Sequence, residues 1–184
     1  MIIEDSIYTK EQIIAALEET SLALIKWVSE QENSKFSISI DNKWSTGQQL
    51  SHLTKSIKPL IMILRKPKFV MRLLFGTSNR ETRSYLAVVE KYNSKLAQGG
   101  VSTSPFSPKT VAPEDKKKLL NEYTSSSEKL EKLINKYSEK DLDKYILPHP
   151  LLGKLTLREM MFFTIYHTQH RSNSLKELYR KADH

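Results

Sequence analysis

The chain has 184 residues, 39% hydrophobic and 27% charged, with a formal net charge of +8. That length suits one substantial core and is short for two domains, so residues 1–184 are expected to form a single domain. The absence of cysteine excludes disulfides and thiolate metal sites and fits a reducing cytoplasm, and no run of about 18 apolar residues exists to span a membrane.

The N-terminal stretch MIIEDSIYTKEQ is acidic and has no basic region leading into an apolar one, so no signal peptide is expected. A first helix begins at Thr9, where Gln12 three residues on forms a capping box. Ile13, Leu17, Leu24 and Val28 recur at helical spacing to about Glu30. Residues 32–44 differ: Phe36, Ile38 and Ile40 alternate with serines. A lone short strand cannot satisfy its own edges, so an extended loop packed on the helices is expected there.

Ser45 with Gln48 opens a second helix, whose stripe runs through Leu50, Leu53, Ile57 and Leu64, with a kink expected at Pro59. His52 lies roughly 130° from the centre of that stripe at 100° per residue. Phe69 to Phe75 is apolar with Arg72 inside, and Gly76 closes it. A helix of intermediate length is expected over roughly Arg80 to Leu96, ended by Gly99-Gly100. Pro105, Pro108 and Pro113 make the next segment a loop, and Pro113 suits the first position of a helix reaching about Tyr137. Asp141-Leu142 adds a short turn, and Tyr145 to Gly153 reads as a loop with His149 between two prolines.

The last helix is the most informative. Thr156 and Glu159 form its capping box, Met160 to Tyr166 is almost wholly apolar, and His167, His170 and Arg171 follow. Four long amphipathic helices, one intermediate helix and no convincing sheet give an all-α bundle with an extra short helix and long loops.

Several of these residues resemble a known family. Trp44-Ser45 ahead of Gln48, then Leu50-Ser51-His52-Leu53, resembles the start of helix 2 in the DinB-like superfamily. Leu152 to Glu159, followed by the apolar run and Tyr166-His167-Thr168-Gln169, resembles that family's last helix. Phe75-Gly76, Arg80, Tyr85 and the loop from Gly99-Gly100 to Phe106 resemble one bacterial branch. The resemblance covers nearly the whole chain. It implies a four-helix bundle, often a homodimer, in which three histidines hold a divalent metal, nickel or zinc, with positions open to water. It also implies activities of the kind found in thiol transferases, maleylpyruvate isomerases and metal-dependent hydrolases, acting on a small molecule or a thiol.

His52 and His167 stand where two of those ligands belong. The position four residues after His167 holds Arg171, His170 comes one residue early, and Ser174 stands where many relatives have glutamine. With Leu157 and Leu175 as the centre of the core face, His167 lies about 80° away, His170 about 140° and Arg171 about 40°. The inward direction therefore belongs to a guanidinium, which stays protonated and is a poor metal ligand.

Three arrangements stay open on these residues. His52, His167 and His170 share a metal; or His52 and His167 do so with another side chain; or both are hydrogen-bonded cleft or core histidines, with His170 at the surface and Arg171 paired with a buried acid or carbonyl. The first two carry a metal-dependent hydrolase or thiol transferase. The third carries a metal-free, non-catalytic bundle whose pocket binds a small anion through Arg171, with Tyr166 also within reach of a cleft. His149 reads as a turn residue. The positive charges look interleaved with Glu and Asp along the chain, as in Glu128-Lys129-Leu130-Glu131-Lys132, so nucleic acid is not an expected partner, nor is a membrane.

Overall fold

The computed structural model describes residues 8–101 and 104–182. The N-terminal stretch read for a leader and the terminal His184 lie outside them, apart from Tyr8 onward. Helix α1 spans Lys10–Glu30, α2 Asn33–Ser37, α3 Thr46–Leu64, α4 Lys68–Phe75 and α5 Tyr85–Ala97. Two 3-10 turns, Ser104–Phe106 and Pro113–Asp115, lead into α6, Lys116–Ile134. Then come α7, Glu139–Lys144, a hairpin of β1, Ile146–His149, and β2, Gly153–Thr156, and finally α8, Leu157–Ala182. The fold is all-α apart from this hairpin.

The helix starts follow from side-chain chemistry. Thr9 and Gln12 cap α1 reciprocally, and Ser45 and Gln48 do the same for α3. At α8, the Thr156 amide donates to Glu159 Oε2 at 3.0 Å and the Glu159 amide donates to Thr156 Oγ1 at 3.2 Å.

The long helices α1, α3, α6 and α8 form the bundle. α6 packs between α1 and α3, α8 lies against α1 and touches α3, and α5 covers α8 from outside. Met160 to Ile165 are buried without a break, so the first half of α8 is enclosed on every side and is the axis of the core.

Two buried ion clusters hold the start of that axis. Arg80 grips the fully buried Glu159 bidentately at 2.6 and 2.7 Å, and the Arg83 amide adds a third donor at 2.8 Å. Burial alone would raise the Glu159 carboxyl, but Arg80 and these amides hold it below its ordinary value. The neighbouring Arg158, itself fully buried, donates to Asp143 at 2.6 and 2.9 Å, to Glu139 at 2.7 Å and to the Tyr8 carbonyl.

The structure departs from the sequence expectations at three places. Residues 33–37 are helical and bury Phe36, while Ile38 is 52% exposed, so the 32–44 segment is not one extended packed loop. Residues 80–84 are coil, because Ser84 caps α5. The 145–153 stretch is no loop: β1 and β2 pair antiparallel with Ile146 opposite Thr156 and His149 opposite Gly153. Pro148 is tolerated because a two-stranded ribbon consists of edges, and Gly153 takes the turn-side φ of +74° that other residues avoid.

Candidate functional site

One cleft of about 750 Å³ opens between α3, α8, the hairpin and the loops around Trp44 and Phe106. Each wall has a local cause. Asp41 and Asn42 both adopt positive φ, 50° and 57°, in a tight turn suited to short polar side chains, and this turn delivers Trp44 to the rim. His52 comes from the second turn of α3, His167 and Arg171 from successive turns of α8, and His149 from the end of β1. Leu53, Ile57, Leu60 and Met160 supply an apolar floor.

His52 and His167 are both only 4% exposed, and their Nε2 atoms face each other at 3.1 Å. His52 Nδ1 donates to the Phe106 carbonyl at 2.9 Å. A neutral imidazole carries one N–H and one lone pair, so this bond makes His52 Nε2 the lone pair. Neutrality is favoured: burial first, then Arg171 and Lys55, bring His52 down to about 4 despite the Phe106 bond. Burial, then His52 and Arg171, lower His167 well below its ordinary value. The consistent neutral arrangement has His167 Nε2–H donating to His52.

Arg171 Nε lies 3.3 Å from the same His167 nitrogen. That nitrogen cannot both donate to His52 and accept from Arg171. When it donates, the guanidinium is released for another acceptor. Among the described residues the partners of Arg171 are His167, Tyr92 and the face of Trp44, 5.4 Å away, and none is a carboxylate. An unneutralised cation on a mainly apolar wall has the chemistry to receive an anion.

His149 is a part of the site that the sequence reading took for a turn residue. Its Nδ1 accepts from the Leu151 and Leu152 amides at 3.2 and 3.1 Å, so the neutral ring carries its proton on Nε2. Burial lowers it to about 4. The ring sits 4.2 Å from Phe163, which stacks on His167 at 5.0 Å. Gln49, in the same cleft, has its side-chain oxygen buried without a partner among the described residues. No periodicity marks His149, and the Phe106 carbonyl belongs to the backbone, so sequence carries no sign of either role.

His170 lines the same cleft and does not lie on the open surface: it is half-buried against Tyr92 and Tyr166, with ring centroids 6.0 and 5.8 Å away. The Tyr166 hydroxyl donates to Asn93 at 3.0 Å, and Tyr166 is not among the cleft-lining residues.

The donor set can be tested against a metal. Two nitrogens on one zinc-like ion, each at about 2.1 Å, stand about 3.0–3.4 Å apart between right-angled and tetrahedral geometry. The 3.1 Å pair of His52 and His167 satisfies that span. Among the described residues no group of three His, Asp or Glu side chains stands together as a metal site, and the Arg171 guanidinium stands 3.3 Å from His167 Nε2. His149 cannot complete the set, because its accepting nitrogen is already used and the other holds a proton.

A family model, described as the DinB superfamily, matches residues 8–173. No curated protein and no solved structure matches the chain.

Proposed function

The chain belongs to the DinB superfamily, and from that premise we propose that its cleft binds a small organic anion, a carboxylate or phosphate ester with an apolar body, without a three-histidine metal centre. The observation that carries this reading is Arg171: a half-buried guanidinium against His167, with no acid to neutralise it among the described residues. The anionic group docks on Arg171. The apolar body lies on Leu53, Ile57 and Met160, and His149 Nε2–H and Gln49 offer polar contacts at its sides. His167 and His52 form a proton-sharing pair beside the anion.

The test is a thermal-shift panel of small carboxylates and phosphate esters. A ligand at about a hundred times its Kd contributes about 2.7 kcal/mol, which raises the melting temperature by about 5–10 °C for a chain of this size. Arg171→Met removes the shift while leaving the unliganded melting temperature nearly unchanged. A shift that survives Arg171→Met overturns the reading.

A second reading rests on the 3.1 Å histidine pair. His52 and His167 hold a nickel or zinc ion, with solvent or ligand completing its shell, and the chain is a metal-dependent hydrolase or thiol transferase. Such an ion supplies Lewis acidity, and Arg171 then orients an anionic substrate. Metal analysis of protein prepared without chelator separates the two. Less than a tenth of an equivalent, unchanged in His52→Ala, removes this second reading.

A further inference from the structure

Helix α4 is inverted relative to a helix of a globular core. Its apolar face should turn inward, yet of its large side chains only Met71 is buried, while Phe69, Leu73 and Leu74 are 69%, 81% and 61% exposed. At 100° per residue these three, with Val70 between them, cover an arc of about 140°. Lys68 and Arg72 border that arc. The helix is held firmly, by Met71 beneath the Tyr137 hydroxyl and by Lys68 paired with Asp141, so the apolar arc is a fixed feature of the surface.

The same stretch carries the charge of the chain. Residues 42–80 contain eight Lys and Arg and no Asp or Glu, which matches the net +8 of the whole sequence. The interleaving of Lys with Glu seen elsewhere stops here. Lys58, Lys68 and Arg80 are paired with acids from other segments. Arg65, Lys66 and Arg72 are exposed and form no ion pair among the described residues.

Bulky apolar side chains on one short helix, beside the unpaired Arg72 of that helix and the unpaired Arg65 and Lys66 just ahead of it, match the interface of an anionic bilayer. Such a helix lies in the plane with its apolar face about 5–10 Å deep and its Lys and Arg at the headgroups. A second copy fits worse. A helix about 12 Å long does not supply the roughly 800 Å² per partner of a stable interface, and symmetric contact would oppose Arg72 to like charge. Nucleic acid would satisfy the cations but leave Leu73 and Leu74 without a partner.

We propose that α4 and the Arg65-Lys66 corner form a docking face for anionic lipid membranes, adsorbing through the cations and inserting Phe69, Leu73 and Leu74. No helix among the described residues is long and apolar enough to cross a membrane, so the contact is from one side.

The test is co-sedimentation of the full chain with phosphatidylcholine vesicles, with and without about a third phosphatidylserine. Binding to the anionic vesicles alone, weakening as salt rises, is expected. The double substitution Leu73→Ser with Leu74→Ser keeps the charge and should weaken binding at least tenfold, with an unchanged circular dichroism spectrum. A blue shift of Phe69→Trp emission on adding anionic vesicles, over the Trp27 and Trp44 background, reports insertion independently. The proposal is overturned by absence of binding at low salt, or by serine variants that bind as well as the parent, which would mean adsorption by charge alone. It is equally overturned by serine variants that convert a dimer into a monomer in sedimentation velocity, which would assign the face to a second copy.

Discussion

Nε2 of His52 and Nε2 of His167 meet at 3.1 Å across the cleft, and the Phe106 carbonyl decides which of the two nitrogens brings the proton. At pH 7 the expected tautomers are therefore Nδ1–H for His52, Nε2–H for His167 and Nε2–H for His149. Long-range proton–nitrogen correlation spectra of labelled protein check this directly. Two protonated nitrogens on the His52 ring at neutral pH would contradict the assignment.

Acid should weaken the fold before it reaches the carboxylates. His52 and His149 sit near 4, below the ordinary histidine value of 6.5, so the unfolded chain takes up protons that the folded chain refuses. Stability is then present above pH 6.5 and lost progressively down to about pH 4. Of the groups facing His52, Arg171 and Lys55 disfavour its charged form, while the Phe106 carbonyl favours it without outweighing burial. By itself His52 accounts for about 3 kcal/mol. Glu131 opposes this trend: burial, then Glu18 and Glu128, push it up to about 7, so its contribution grows as pH falls. Urea midpoints at pH 7.5, 6 and 5 should fall in sequence, and more steeply in Glu131→Gln. Flat midpoints would show that the imidazoles are not buried as neutral groups.

Glu159→Gln should cost about 3 kcal/mol, because it leaves Arg80 and Arg83 facing a neutral amide at a buried site. In the parent this contribution is lost only as pH falls below the ordinary carboxylate range, since the folded value is depressed. Chemical denaturation at pH 7 measures the cost. A change under 1 kcal/mol would mean that the cluster is hydrated rather than buried.

Gly153→Ala should cost about 1–2 kcal/mol through backbone strain at φ +74°. No steric clash adds to it, since an added Cβ meets nothing within 4 Å. Gly153 pairs with His149, so the same change should lower affinity for any cleft ligand. Calorimetry of the variant with a ligand found in the thermal-shift panel reads both effects.

The bundle was legible because its helix starts are written in pairs: Thr9 with Gln12, Ser45 with Gln48, Thr156 with Glu159. The hairpin was not, because Pro148 and Pro150 argue against a strand wherever the neighbours are unknown. Helical angles anticipated that Arg171 would reach the cleft, but placed His167 about 80° off the core face. His167 is buried nonetheless, because His52 of α3 meets it at 3.1 Å and Phe163 stacks on its ring, which covers a side of α8 that the angle from the core face leaves open. The charge of residues 42–80 was present in the sequence throughout; what periodicity could not supply was that α4 turns its leucines outward.

The bond from His52 to Phe106 uses a main-chain carbonyl, and this has a genetic consequence. Every amino acid offers that oxygen, so exchanging the side chain at 106 leaves the acceptor in place. Insertions or deletions in the connection between α5 and α6 would displace it. The proton arrangement of the cleft is thus insensitive to spelling at that position and sensitive to the length of the loop that carries it.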